Sequence, residues 1–188
     1  MTYKEARVYL DNLSKYGSVL GLGTIQKLLC ELGNPQDGLK FIHIAGTNGK
    51  GSVLAYTSTI LSKAGCKVGR YVSPTVISYL ERIQVDGMWI SEDAFARLTA
   101  RVREAIARME SAGEKSPTVF EIETAIAFLY FKEQDCDLVV LECGLGGETD
   151  ATNIVENTLV AVFTPISRDH TGILGDTPGE IATSVFST

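Results

Sequence analysis

The chain has 188 residues, of which 45% are hydrophobic and 21% charged, and 17 Lys+Arg against 23 Asp+Glu leave a formal charge of −6. This composition fits one large globular domain, or a domain with an appendage, and excludes global disorder, collagen and coiled coil. The acidic balance argues against a nucleic-acid partner, no apolar run is long enough to span a bilayer, and the start Met1-Thr2-Tyr3-Lys4-Glu5 lacks the apolar stretch of a signal peptide, so a cytoplasmic chain with no membrane partner is expected.

The first helix opens at Thr2, which makes a capping box with Glu5, and Ala6, Tyr9, Leu10 and Leu13 repeat at helical spacing. A glycine-punctuated link from Gly17 to Gly23 follows. Thr24 is then expected to cap a second helix carrying Ile25, Leu28, Leu29 and Leu32, with Gly33 as its stop and Asn34-Pro35 as a turn. The run Phe41-Ile42-His43-Ile44-Ala45 reads as a buried strand that ends abruptly in glycines. His43 inside it reads as a hydrogen-bonded core histidine. A helix over residues 52–64 is expected to carry Val53, Tyr56, Ile60 and Leu61 and to end at Gly65. Next come a strand over 67–72 and a hairpin of 82–85 with 88–90, joined by Asp86-Gly87. Helices over 92–111 and 119–134 follow, the second opened by the box Thr118 and Glu121. The apolar runs 138–141 and 159–163 complete the pattern. Continuous apolar strands alternating with helices predict a three-layer α/β domain with a mostly parallel sheet and an N-terminal helical lead-in. The four cysteines, Cys30, Cys66, Cys136 and Cys143, contain no C-x-x-C pair and read as small buried hydrophobes in a reducing compartment.

Chemistry concentrates in Gly46-Thr47-Asn48-Gly49-Lys50-Gly51-Ser52, between the first sheet strand and its helix. Glycines let successive N–H groups turn inward on a phosphate, and the following helix adds its positive end. Lys50 supplies a mobile cation for terminal phosphates, and Ser52 a hydroxyl suited to Mg²⁺. One glycine is inserted between Lys50 and Ser52 relative to the common phosphate-loop pattern. Glu142 ends the strand 138–142 where open α/β sheets bind ligands, and a carboxylate there can hold Mg²⁺ opposite the loop. Gly144-Leu145-Gly146-Gly147 then reads as a second close-approach backbone segment. His170, beside Asp169, reads either as an ordinary loop histidine or as a metal or phosphate neighbour.

Taken in order, several motifs resemble the folylpolyglutamate synthase/dihydrofolate synthase family of the Mur ligase superfamily. They are the loop through Ser52, Tyr71-Val72-Ser73-Pro74 with Glu81-Arg82-Ile83, Phe120-Glu121 with Thr124-Ala125, Glu142 through Gly147 with Asp150-Ala151-Thr152-Asn153, and Asp169-His170 with Leu174-Gly175-Asp176-Thr177. The resemblance implies a P-loop NTPase-like fold, with this chain as the N-terminal part of the ATP-binding central domain and the C-terminal glutamate-binding domain absent. It also implies an ATP-dependent amide ligase. ATP phosphorylates a carboxylate of folate or dihydropteroate, and the amine of L-glutamate displaces phosphate. By the same resemblance Gly46, Thr47, Asn48, Gly49, Lys50, Gly51 and Ser52 bind ATP, Ser52 and Glu142 bind one Mg²⁺, and Ser73, Glu142 and His170 surround a second. Lys50, Glu142 and His170 take the catalytic roles, and the full-length enzyme is expected to be a monomer. Glu148-Thr149 stand where the family commonly has Arg and Leu. Val185 stands where it has a carbamylated Lys, so the chain as it stands is expected to be inactive. The alternatives are a muramyl-peptide-type ligase and a non-catalytic ATP-binding remnant.

Overall fold

A computed structural model describes residues 1–13, 21–167, 174 and 177–186. Two apolar strands form its centre. β1 (Phe41–Ala45) and β5 (Leu138–Glu142) lie side by side and parallel, with β2 (Val68–Tyr71) parallel to β5 and β6 (Thr158–Phe163) parallel to β1. The hairpin β3 (Ile83–Val85) and β4 (Met88–Trp89) adds antiparallel to β2, giving the order β4-β3-β2-β5-β1-β6. Its turn forms at Asp86 and Gly87, both with positive φ (49° and 80°), as an Asp-Gly pair prefers.

One face of the sheet packs α5 (Val119–Glu133), behind which lie α4 (Glu92–Ser111), α1 (Tyr3–Leu13) and α2 (Gly23–Glu31). The contact is close. Phe41 meets Phe128 edge-on at 5.6 Å, and a Cβ at Gly69 would stand 2.7 Å from the Phe131 ring. The boxes Thr2/Glu5 and Thr118/Glu121 both form, each Glu carboxylate accepting from its capping residue's N–H. The helical lead-in is no appendage, because Ala6, Leu10, Ile25, Leu28 and Leu29 join the main core and Arg108 of α4 reaches Glu31 at 2.8 Å.

Two expectations fail locally. Helix α2 starts at Gly23 with Leu22 as N-cap and no side-chain cap, so Thr24 lies inside it. Helix α3 (Lys50–Lys63) covers the other face of the sheet and begins at Lys50 rather than Ser52. It buries Leu54 and Ser58, with Val53 and Leu61 partly covered, while Tyr56 and Ile60 are 73% and 66% exposed. Apolar spacing in this helix names two possible stripes, and the glycine turn that launches it selects the one facing β1, β2 and β5.

β6 is the sheet's edge, and among the described residues only β1 pairs with it. Its sequence TLVAVF carries no charge or proline to deter pairing, and Leu159 and Val160 are 55% and 50% exposed. The chain is therefore expected to elute earlier from a sizing column as its concentration rises, and Val160→Lys to return it to one position. An unchanged profile in the variant would locate the association elsewhere.

Candidate active site

β1 delivers the chain into the loop at Gly46, whose φ of +133° brings its backbone against the end of β6. A Cβ there would stand 2.2 Å from the Thr164 hydroxyl oxygen and 2.7 Å from its carbonyl oxygen, so only glycine fits. The Thr47 and Asn48 N–H groups both donate to the Pro165 carbonyl at 3.2 and 3.3 Å. The Thr47 hydroxyl exchanges bonds with the Ser167 backbone, and the Asn48 amide donates to the Ser167 hydroxyl at 3.1 Å. These two residues stitch the loop to segment 164–167. The turn closes at Gly49, φ +90°, which caps α3. The first N–H groups of α3 have no partner inside the helix and point its positive end into the loop. Lys50 bends back across the mouth and donates to the Gly46 carbonyl at 2.8 Å. Ser52 is exposed on the first turn.

Glu142 arrives from the neighbouring strand, since Ile44 and Glu142 are register partners across β1 and β5. It is 6% exposed. Burial raises its carboxyl above the usual carboxylate range, opposed by the Ser73 N–H and then by Lys50, Arg70 and Arg82. The Ser73 N–H to Glu142 Oε2 bond, at 3.4 Å, brings the serine after β2 to the same point. The loop beyond Ser73 is held by the Glu81 carboxylate, which accepts from the N–H groups of Val76, Ile77 and Ser78. Segment 144–147 closes the other side. With Gly46, Thr47, Lys50 and Cys143, its residues 144–146 line a cavity of about 30 Å³, roofed by Leu174 and by Ile181 and Val185 of α6 (Pro178–Phe186).

The fold thus gathers Gly46 to Ser52, Ser73 and Glu142 at the carboxyl ends of β1, β2 and β5. His170 lies outside the described residues. Among the described residues no cluster of three His, Cys, Asp or Glu could by itself hold a metal. A single buried carboxylate beside Ser73 suits Mg²⁺, which keeps waters and phosphate oxygens in its shell. Spacing did not reveal Arg70 and Arg82, whose charges act on Glu142 from β2 and the turn before β3. Glu81 was legible as the second half of a Ser78-x-x-Glu81 box.

Comparison with known proteins gives a consistent picture. The Mur ligase middle domain family matches residues 44–184. The chain is 42% identical to a Bacillus subtilis dihydrofolate synthase/folylpolyglutamate synthase over 96% of its own length and 42% of that protein's. It is 36% identical to a Lacticaseibacillus casei folylpolyglutamate synthase, over 97% and 42%. The chain therefore spans less than half of these relatives. Among solved structures, an FPGS–AMPPCP complex superposes with a TM-score of 0.92 at 36% identity, over all of this chain and 45% of that one. An E. coli FolC in complex with DHPP and ADP superposes with a TM-score of 0.89 at 37% identity, over all of this chain and 44% of that one.

Proposed function

We proceed from a chain that belongs to the Mur ligase family, on its folylpolyglutamate synthase/dihydrofolate synthase branch, and propose that it supplies the ATP- and Mg²⁺-binding half of a ligase that adds L-glutamate to a folate or to dihydropteroate. The observation that carries this reading is the strand–loop–helix unit in which Lys50 lies over the glycine backbone, within electrostatic reach of the buried Glu142 carboxylate.

In the proposed reaction a substrate carboxylate oxygen attacks the γ-phosphorus of ATP, the bond to the β,γ-bridging oxygen breaks, and ADP leaves. The glutamate amine then attacks the acyl phosphate carbon. The tetrahedral intermediate expels phosphate, the nitrogen loses a proton, and an amide remains. The protein's work is to position anions and compensate charge. Lys50 would leave the Gly46 carbonyl for the terminal phosphates, because a charge-assisted bond to phosphate is stronger than one to a neutral amide. The first turn of α3 would meet the remaining oxygens. Ser52, Ser73 and Glu142, with His170, would hold Mg²⁺, which when bound neutralises phosphate oxygens. Buried Glu142, with its raised pKa, gains most from such a cation. Relatives named for folate chemistry support a pteridine substrate over a muramyl peptide. The four cysteines are unpaired, which suits a cytoplasmic protein.

Lys50→Ala is expected to weaken Mg-ATP binding roughly 10- to 150-fold, the worth of a hydrogen bond to a charged group at about 1.5–3 kcal/mol. Calorimetry on both proteins reads this directly. Equal affinities would remove the loop from nucleotide binding and leave the reading without its support.

A further inference from the structure

We propose that His43, Thr152 and Asp150 form a buried positioning relay that sets segment 144–147 against the phosphate-binding loop. The three are 1%, 0% and 6% exposed. The Thr152 hydroxyl donates to Asp150 Oδ1, so its oxygen lone pair is left to receive the His43 Nε2 proton across 2.9 Å. Asp150 Oδ1 also accepts the Thr152 N–H at 2.9 Å, and its other oxygen accepts the Leu145 N–H at 2.7 Å. Gly144 rests on this carboxylate, for a Cβ there would stand 3.0 Å from Asp150 Oδ2 and 2.6 Å from the Phe120 ring. The Cys143 thiol makes a second fastening, donating to the Gly146 carbonyl at 3.0 Å.

The relay begins in β1 at His43, three residues before Gly46. One strand therefore sets both walls of the cavity, Gly46 through the chain itself and segment 144–147 through three buried side chains. Burial lowers the His43 pKa to about 4, so the ring is neutral near pH 7 and keeps one proton to donate. None of the three touches the cavity, so they act through the loop they hold.

The consequence for nucleotide rests on the proposed function; the placement of the loop does not. Thr152→Val keeps shape and removes the central hydroxyl. In the 188-residue chain it is expected to speed amide exchange at Leu145 and Gly146 at least 10-fold relative to Val140 in β5. It is also expected to expose the His43 Nε2 proton to solvent exchange by NMR, and to raise the Mg-ADP dissociation constant about 3- to 10-fold. Thr152→Ser should restore all three. If Thr152→Val does not fold, Asp150→Asn tests the same link, because its amide cannot accept from both Leu145 and Thr152. A general loss of stability in which loop and core amides speed up equally would overturn the relay. So would an unchanged His43 proton. A wild-type chain that ignores Mg-ADP defeats the proposed function, while the exchange data still decide the relay.

Discussion

Glu123→Ala is expected to be among the most destabilising single changes in this protein, costing about 3–5 kcal/mol, because it strands a buried arginine. Glu123 of α5 is only 4% exposed and pairs with Arg82 at 3.3 Å. It also accepts the Tyr79 hydroxyl. Without Glu123, Arg82 keeps only the neutral Tyr71 and Tyr79 side chains beside it, and its Nε is already buried with no hydrogen-bond partner among the described residues. Burial raises the Glu123 carboxyl, and Arg82 opposes that shift. At roughly 2–4 °C per kcal/mol for a domain of this size, the loss is about 6–20 °C in Tm. Glu123→Gln should fall between, keeping the Tyr79 bond without the charge. Arg82→Met with Glu123→Met should recover much of the loss, because removing both charges removes the desolvation cost with them. A Glu123→Ala protein that melts with the wild type would show that water reaches the pair.

Glu142→Gln is expected to move stability and function in opposite directions. In the native state this carboxyl is raised above its ordinary value of 4.5, chiefly by burial. The folded chain therefore holds that proton more tightly than the unfolded chain. Its favourable contribution is complete below about pH 4.5 and is lost as pH rises through the raised value. Near pH 7 the buried charge works against folding, so the neutral amide should raise the Tm there. The advantage should vanish toward pH 4, where both side chains are neutral. The same substitution removes the anionic ligand a hard cation prefers, and should lower the Mg²⁺ enhancement of nucleotide binding roughly ten-fold, equivalent to about 1.4 kcal/mol. Melting curves at pH 4 and pH 7 with a magnesium titration read both. A Tm that falls at pH 7 would mean that the Ser73 contact outweighs the burial of charge. An unchanged magnesium titration would make Glu142 a strand end and nothing more.

Much of this was legible before any coordinates. The strand–glycine–helix order around Lys50, the capping boxes at Thr2 and Thr118, the Asp86-Gly87 turn and the apolar runs that became β1 and β5 are statements about residues within a few positions of one another. Steric freedom at glycine, side-chain reach at a helix start and the two-residue alternation of a strand are local forces, and they act wherever the rest of the chain lies. They sufficed for the fold class and for most of the loop that names the chemistry.

Other features depended on partners far along the chain. Spacing grouped Tyr56 and Ile60 with Val53 and Leu61, and only the sheet turned the first two outward; Glu123 meets its partner Arg82 from 41 residues earlier in the chain, a pairing no local pattern announces. The bonds that tie the Thr47 and Asn48 N–H groups to Pro165 join segments far apart in the chain, and Lys50 rests on Gly46. His43 could be read as a hydrogen-bonded core histidine, yet nothing near it in sequence pointed to Thr152 and Asp150. Sequence by itself determined what each segment could be, because propensity, capping and hydrophobic period are short-range. Tertiary structure alone decided which polar groups are buried and what they face, because the desolvation and Coulomb energies of a charge depend on whatever long-range packing brings beside it.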